Sequence, residues 1–200
     1  MATIKEIQAC IDILVTAGTE MNDIILLHCN TEYPTPDNDI NLFAIKDLYR
    51  NFPNTVIGFS DHTVGYTAAI GAVTLGAKVI EKHFTLDKNM PGPDHKASAT
   101  PEELKLICDN VKRIESMLGI DKKIVTLSEK KNKIVARKSI VASRNIKKGE
   151  IFDESNITCK RPGNGISPMY WKEVLGTIAE KDFAEDELIA VTGIDWSGNE

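Results

Sequence analysis

Three apolar stretches of this sequence each lead into side chains that could bind a ligand or transfer protons. The stretches are 24–29, 55–59 and 77–83. In parallel sheets and in barrels, residues at the carboxyl ends of strands and in the following loops point into the ligand crevice. The candidate site residues at these ends are Thr31, Tyr33, Ser60, His62, Glu81, His83 and Asp94.

The elements that must position these residues alternate between helix and strand. Helical spacing and capping signals predict helices over 3–17, 39–51 and 65–76, and a fourth that begins at Thr100 and Pro101. Because the three apolar strands lie between these helices with short connections, the pattern indicates an α/β fold with parallel strands and right-handed crossovers.

The composition changes after the fourth helix. A lysine-rich run at 121–135 predicts a solvated linker. Beyond it, strand-like runs at 139–142 and 188–191 are separated by turn residues. The sequence therefore predicts an α/β domain over 1–120, the linker, and a small β-rich domain over 136–200.

The composition also excludes several classes of protein. Hydrophobic residues make up 42% of the 200 residues and charged residues 26%, as in soluble globular proteins. A net charge of -5 argues against nucleic acid or an anionic membrane as the partner. The four cysteines lack any CxxC spacing, which indicates reduced thiols. No segment has the roughly 20 apolar residues that span a bilayer, and no signal peptide is evident, so we expect a cytoplasmic protein.

The length limits the kind of α/β domain that the chain can form. A complete (β/α)₈ barrel takes about 250 residues, whereas the first domain offers three strands. Open strand edges at 24–29 and 77–83 would need a partner. We therefore expect a chain that is either a fragment or works with a complementary piece, and that is inactive alone.

Four segments resemble, in order and spacing, motifs of the sialic acid synthase family, which includes synthases of N-acetylneuraminate and N,N'-diacetyllegionaminate. Residues 30–33 and 89–98 most resemble synthases of legionaminic acid, a nine-carbon bacterial relative of sialic acid. The four segments are LHCNTEYPTP at 27–36, GFSDHTVG at 58–65, IEKHFTLD at 80–87 and RPGNG at 161–165.

This resemblance implies a fold and an activity. The fold would be the last three strands and helices of a TIM barrel, followed by a β-clip domain similar to type III antifreeze protein, called the SAF domain. The family condenses phosphoenolpyruvate with an N-acetylated mannose-type sugar to give a nine-carbon 2-keto acid for cell-surface carbohydrates. Legionaminic acid is the preferred product, with N-acetylneuraminate or pseudaminate synthase as alternatives. An inactive fragment and a carbohydrate-binding module remain open as alternatives without catalysis.

The resemblance also implies a metal site. By resemblance, His62 and His83 bind a manganese or magnesium ion, which would polarise the carbonyl group of the sugar. Glu81 lies two residues before His83, hence on the same strand face, and would take or give a proton nearby. From the residues alone, an ion pair between Glu81 and a neighbouring lysine is an equal alternative.

The remaining site residues are implied to bind the two substrates. Tyr33 and Asp94 resemble residues that hydrogen-bond the sugar, and Thr31 and Ser60 resemble residues near the phosphate or carboxylate of phosphoenolpyruvate. Arg161 resembles an arginine that contacts the sugar's N-acetyl group from the neighbouring subunit, which implies a domain-swapped homodimer. A loop aromatic packed on Pro34 is an equal alternative for Tyr33, and without the family a surface arginine in a turn is the preferred interpretation of Arg161.

Three polar neighbours of these residues are expected to be structural. His28 precedes the end of its strand, so its ring should pack against the core. Asp61 and Lys82 alternate with candidate site residues along their strands, so their side chains should point away from the pocket.

Overall fold

The chain forms two compact units, Met1–Asp121 and a second unit that begins at Lys122. The computed structural model describes residues 1–193, so the end of the domain expected over 136–200 lies outside the described residues. Within 1–193, no helix is both long and apolar enough to cross a bilayer.

The first unit contains a parallel sheet of three strands in the order β1-β2-β3, with helices between them. This confirms the predicted mixed α/β class with a parallel sheet. The elements are α1 (Ile4–Thr16), β1 (Ile25–Cys29), α2 (Ala44–Asn51), β2 (Val56–Asp61), α3 (Thr67–Thr74), β3 (Val79–Lys82) and α4 (Pro101–Leu118).

The two best-marked helices begin where their capping signals predict. Thr3 and Glu6 form a capping box at the start of α1, in which each side chain bonds the backbone N–H of the other residue. Thr100 and Glu103 form the same arrangement at α4, whose first residue is Pro101. These contacts satisfy backbone donors that the first helical turn leaves without partners.

Helix α2 is shorter than the predicted 39–51. A short 3₁₀ turn covers Asp37–Asp39, and Asn41 has a φ of 48°, in the left-handed region that a continuous α-helix cannot contain. The α-helix therefore begins only at Ala44.

The sheet has two chemically different faces. Ile57 and Phe59 of β2 are buried in an apolar core with Ile11 of α1 and Ile45 of α2. The opposite face, here called the site face, carries Gly58 and Ser60 of β2, with Cys29 of β1 and Glu81 of β3 paired beside Ser60. Alternation along each strand thus separates the core from the candidate site.

Gly58 lies at the centre of the site face, where no larger residue fits. A Cβ atom at this position would lie 2.6 Å from the carbonyl oxygen of Val79 and 2.5 Å from Cδ2 of Leu27. The Val79 oxygen belongs to the backbone of the neighbouring strand, so it cannot move without disturbing the sheet.

The second unit contains a small β-rich core. Strand β4 (Ser139–Ala142) pairs antiparallel with β5 (Ile157–Lys160). The rings of Phe152 and Phe183 pack edge to face with centroids 5.6 Å apart inside this core. The unit also contains helices α5 (Leu127–Ala136) and α6 (Trp171–Val174).

The strand at 139–142 is confirmed, whereas the strand predicted over 188–191 is wrong. That segment makes an isolated bridge between Leu188 and Val141 and a hydrogen bond from Ile189 N–H to the Ile140 carbonyl. The regular partner of β4 is β5. This strand was not predicted, because its residues mix polar and apolar types. Apolar residues of 188–191 face the core without forming a ladder.

The stretch predicted as a linker is exposed but includes a helix. Helix α5 occupies its second half and begins with a capping box between Thr126 and Glu129. The Thr-x-x-Glu spacing of a capping box is present in the sequence. The surrounding lysines nevertheless favoured the prediction of a solvated linker.

We predict that Gly58→Ala lowers the free energy of unfolding of the first unit by about 1–3 kcal/mol, because the added methyl group overpacks the sheet against backbone. Gly71→Ala in α3 is the matched control. Its Cβ would meet only the movable Cδ1 of Leu42, at 2.8 Å, and alanine favours helix. Chemical denaturation followed by circular dichroism measures both; equal losses would contradict the prediction.

Candidate active site

Three rings meet at the carboxyl end of the sheet. The ring centroids of His62 and His83 are 5.1 Å apart, and the Tyr33 ring lies 5.1 Å from His62 and 4.4 Å from His83. The structure therefore brings together residues that follow β1, β2 and β3. We call Tyr33, His62 and His83 the ring cluster.

The orientation of His62 is set by the turn after β1. Nδ1 of His62 lies 2.7 Å from the carbonyl oxygen of Asn30. Since a carbonyl can only accept, Nδ1 carries the proton and donates it, which leaves the lone pair on Nε2. The His62 carbonyl in turn accepts from the Thr35 N–H at 2.9 Å. The ring is thereby held with Nε2 turned away from this hydrogen bond.

His83 is held by the long loop that follows β3. Its Nδ1 lies 3.5 Å from Oδ2 of Asp94, a polar contact longer than a normal hydrogen bond. Its carbonyl accepts from the Ala99 N–H at 2.8 Å. Asp94, predicted as a site residue, thus lies beside the ring cluster, with about half of its side chain exposed.

Ser98 connects the loop to Tyr33 and was not singled out from the sequence. The Ser98 hydroxyl is buried and donates to the Asp94 carbonyl at 2.7 Å. The Tyr33 hydroxyl lies 3.2 Å from the same Ser98 oxygen and so donates to it. Burial raises the pKa of the Tyr33 phenol, and the nearby Asp94 carboxylate raises it further. The phenol therefore remains a proton donor at neutral pH.

Further contacts fix the loop to its surroundings. Nδ1 of His95 lies 2.8 Å from the Thr85 hydroxyl, so this histidine is tied into the loop. Lys88 Nζ bonds Glu103 Oε1 at 2.6 Å, joining the loop to the start of α4. This hydrogen bond lowers the pKa of Glu103 despite partial burial. The loop is thus anchored independently of the ring cluster.

Ser60 and Glu81 form a pair on the site face. The Ser60 hydroxyl donates to Glu81 Oε1 at 2.7 Å. The alternative that Glu81 pairs with a neighbouring lysine is wrong, because Lys82 lies on the other face and bonds Asp61 at 3.0 Å. Strand alternation explains this, since residues 81 and 82 must point in opposite directions.

The expectations for the structural neighbours are confirmed. His28 donates from Nε2 to the Ile40 carbonyl at 2.7 Å and stacks on Phe59. Asp61 and Lys82 turn away from the ring cluster and pair with each other.

Thr31, like Ser60 and Glu81, lies outside the contacts of the ring cluster. Thr31 is exposed in a turn in which the Asn30 side-chain oxygen accepts from the Glu32 N–H at 2.8 Å. Arg161 belongs to the second unit, where its Nε donates to the Ala136 carbonyl at 2.9 Å.

Two imidazoles are the nitrogen donors that the ring cluster contains. In residues 1–193, no group of three or more His, Cys, Asp or Glu side chains is arranged to hold a metal ion. An ion bound by the two imidazoles would therefore leave most of its coordination positions to water or substrate. Catalytic ions keep such positions, whereas structural zinc sites are closed by four protein ligands.

Comparisons with known proteins identify the family. The NeuB family model matches residues 1–123, and the SAF domain model matches residues 137–191. The N,N'-diacetyllegionaminic acid synthase of Campylobacter jejuni is 52% identical over 189 residues, covering 94% of this chain and 56% of that protein. A pseudaminic acid synthase of Campylobacter jejuni is 46% identical over 162 residues, covering 80% and 46%.

A solved structure agrees with these matches. The putative spore coat polysaccharide biosynthesis protein E of Chromobacterium violaceum aligns with a TM-score of 0.67 and 26% identity, over 94% of this chain and 56% of that chain. The chain belongs to the NeuB family, which confirms the resemblance predicted from the motifs. It spans about half the length of the curated relatives it matches.

We predict that Tyr33 and Ser98 are energetically coupled. Ser98→Ala removes the acceptor of a partly buried phenol, and Tyr33→Phe removes the donor, so the second change should cost little after the first. A double-mutant cycle on the free energy of unfolding should give a coupling of about 0.5–1.5 kcal/mol. The matched pair Tyr49→Phe with Ser98→Ala should be additive, since the Tyr49 hydroxyl bonds the Gly76 carbonyl instead. Additivity of the Tyr33 and Ser98 changes would contradict the coupling.

Proposed function

We propose that this chain carries the metal-binding and acceptor-binding part of a sialic acid-type synthase. The reaction joins phosphoenolpyruvate to an N-acetylated mannose-type sugar, consumes one water, releases inorganic phosphate and yields a nine-carbon 2-keto acid for cell-surface carbohydrates. The observation that carries the proposal is the ring cluster. Two imidazoles and a phenol, with Asp94 beside them, meet at the carboxyl end of a parallel sheet in a chain of the NeuB family.

In this proposal His62 and His83 hold the metal ion, Mn²⁺ or Mg²⁺. The Asn30 carbonyl fixes the His62 tautomer, as outer partners of metal-binding histidines commonly do. When bound, the ion supplies Lewis acidity toward the carbonyl group of the acceptor sugar.

The other residues orient the sugar and move protons. Tyr33 and Asp94 both lie beside His83 and offer a hydroxyl and a carboxylate to the polar groups of the sugar. Glu81, whose carboxylate accepts from Ser60, takes or gives a proton at the reacting oxygen. Thr31 and Ser60 bind the phosphate or carboxylate of phosphoenolpyruvate.

We propose the legionaminic acid precursor as the acceptor. The support is the 52% identity to a synthase of N,N'-diacetyllegionaminic acid, against 46% to a pseudaminic acid synthase. Precursors of pseudaminate and N-acetylneuraminate are the competing acceptors.

The proposed architecture places the three strands as the last three of a (β/α)₈ barrel over 1–120. A linker over 121–135 and a SAF domain over 136–200 follow, in a cytoplasmic enzyme. The family-model matches to 1–123 and 137–191 support this division. In a domain-swapped homodimer, Arg161 of one subunit would reach the acceptor sugar bound by the other.

A chimera tests the function. This chain replaces the matching part of the Campylobacter jejuni N,N'-diacetyllegionaminic acid synthase, and condensation is measured with each acceptor. We expect activity that a chelator abolishes and Mn²⁺ restores. His62→Ala and His83→Ala should each lower kcat/KM on the order of 100-fold, because loss of outer partners alone costs 10–100-fold.

The matched control for this experiment is His28→Gln, which removes a histidine from the opposite face of β1 and keeps a donor toward the Ile40 carbonyl. It should retain both activity and metal dependence. A chimera that condenses the substrates fully in excess chelator would refute the metal assignment. A folded chimera without any condensation would favour the inactive fragment.

In the same chimera, Arg161→Ala should raise the KM for the sugar several-fold, the equivalent of about 1 kcal/mol for one hydrogen bond, with little change for phosphoenolpyruvate. Mixing Arg161→Ala subunits with His83→Ala subunits should restore activity, because a mixed dimer contains one intact site. No recovery after demonstrated subunit exchange would refute the action of Arg161 across the dimer.

A further inference from the structure

A buried group of charges lies on the helix-covered side of the sheet, directly behind the ring cluster. Lys82 Nζ donates to Asp61 Oδ2 at 3.0 Å and to the Thr63 carbonyl at 2.7 Å. The other Asp61 oxygen, Oδ1, accepts from the Thr63 N–H at 2.8 Å and from the Thr63 hydroxyl at 2.7 Å. We call these three residues the clamp.

The clamp is shielded from water. The side chain of Asp61 has no exposed surface, and that of Lys82 is 4% exposed. A buried ion pair of this kind adds little to stability, because the cost of removing two charges from water offsets their attraction. Well-packed apolar residues would stabilise such a place equally well. The presence of this ion pair therefore indicates that it fixes the geometry of neighbouring residues.

The positions of the clamp residues show which geometry they fix. Asp61 and Thr63 are the chain neighbours of His62, and Lys82 is the neighbour of His83. Strands β2 and β3 end at Asp61 and Lys82, so their regular ladder stops just before both histidines. Beyond that point the clamp bonds continue the connection between the two strands.

Backbone hydrogen bonds of each histidine lead to a loop. The His62 carbonyl accepts from Thr35, and the His83 carbonyl accepts from Ala99. The clamp joins residues 61–63 directly to residue 82. It therefore adds side-chain bonds at the end of the β2–β3 ladder, whose last pair is Asp61 and Lys82.

We propose that Asp61, Thr63 and Lys82 are positioning residues that set the spacing and the mutual orientation of the His62 and His83 rings. Their side chains bond one another on the side of the sheet opposite the site face. That the ordered rings hold a divalent ion rests on the proposed function; that the clamp orders them does not.

The test compares variants that keep the site free of unpaired buried charge. In Asp61→Asn with Lys82→Met, the amide oxygen can still accept from Thr63, while the bonds across the two strands are lost. Lys82→Arg is the rescue variant, because the N–H groups of the arginine guanidinium can donate to both acceptor oxygens. Lys88→Met with Glu103→Gln is the matched control, since it removes another ion pair of the same unit away from the rings.

The first measurement needs no metal and no activity. In the metal-free chain, nuclear Overhauser contacts between the His62, His83 and Tyr33 rings should be present in the parent, the rescue variant and the matched control. They should be lost, or weakened by about half or more, in Asp61→Asn with Lys82→Met, as expected when close ring contacts open. Circular dichroism establishes that each variant is folded.

The second measurement is the Mn²⁺ dissociation constant, from the electron paramagnetic resonance signal of the free ion. It should rise on the order of 10-fold in the double variant and stay near the parent value in the matched control. If the parent keeps its ring contacts but binds no Mn²⁺, the metal part of the proposed function fails while the clamp is still judged by the ring contacts.

A folded double variant with unchanged ring contacts would overturn the proposal. If that variant does not fold, Asp61→Asn with Lys82→Gln replaces it, because the shorter amide cannot reach both oxygens that Lys82 bonds. Loss of folding in both double variants would mean that the pair maintains the fold itself, which would also overturn the positioning role.

Discussion

The parallel register of β1, β2 and β3 is the constraint on which the rest of the first unit depends. Cys29, Ser60 and Glu81 lie side by side in this register, so the three strands end at nearly the same level. Their next residues therefore emerge together at one edge. Alternation along the strands then assigns Ser60 and Glu81 to the site face, and Asp61 and Lys82 to the core side. A shift of one residue in any strand would exchange these roles.

The sequence was sufficient for the features that local physics determines. The capping boxes at Thr3 and Thr100 predicted the starts of α1 and α4, because each box satisfies backbone donors within four residues. The parallel sheet followed from the alternation of elements, and the pairing of His62 with His83 followed from the strand ends. These signals need no knowledge of distant contacts, which explains why they were readable.

The features that the sequence did not reveal depend on contacts between distant segments. Ser98 matters because it meets Tyr33, which lies 65 positions away. A contact between residues so far apart produces no spacing pattern in the sequence. The Asn30 carbonyl that orients His62 belongs to the backbone, so no residue type records it. In the second unit, 188–191 resembles a strand because its apolar residues alternate into the core, yet the regular ladder of β4 is formed with β5.

Gly58 has a consequence for the site above it. Because this residue has no side chain, Leu27 of β1 and Val79 of β3 both reach the space that a Cβ at position 58 would occupy. Together they make a hydrocarbon floor one layer beneath the polar row of Cys29, Ser60 and Glu81. The apolar floor and the polar row are thus only one pleat of the sheet apart. A ligand that enters from the loop side meets polar groups first and reaches the floor only at its deepest point.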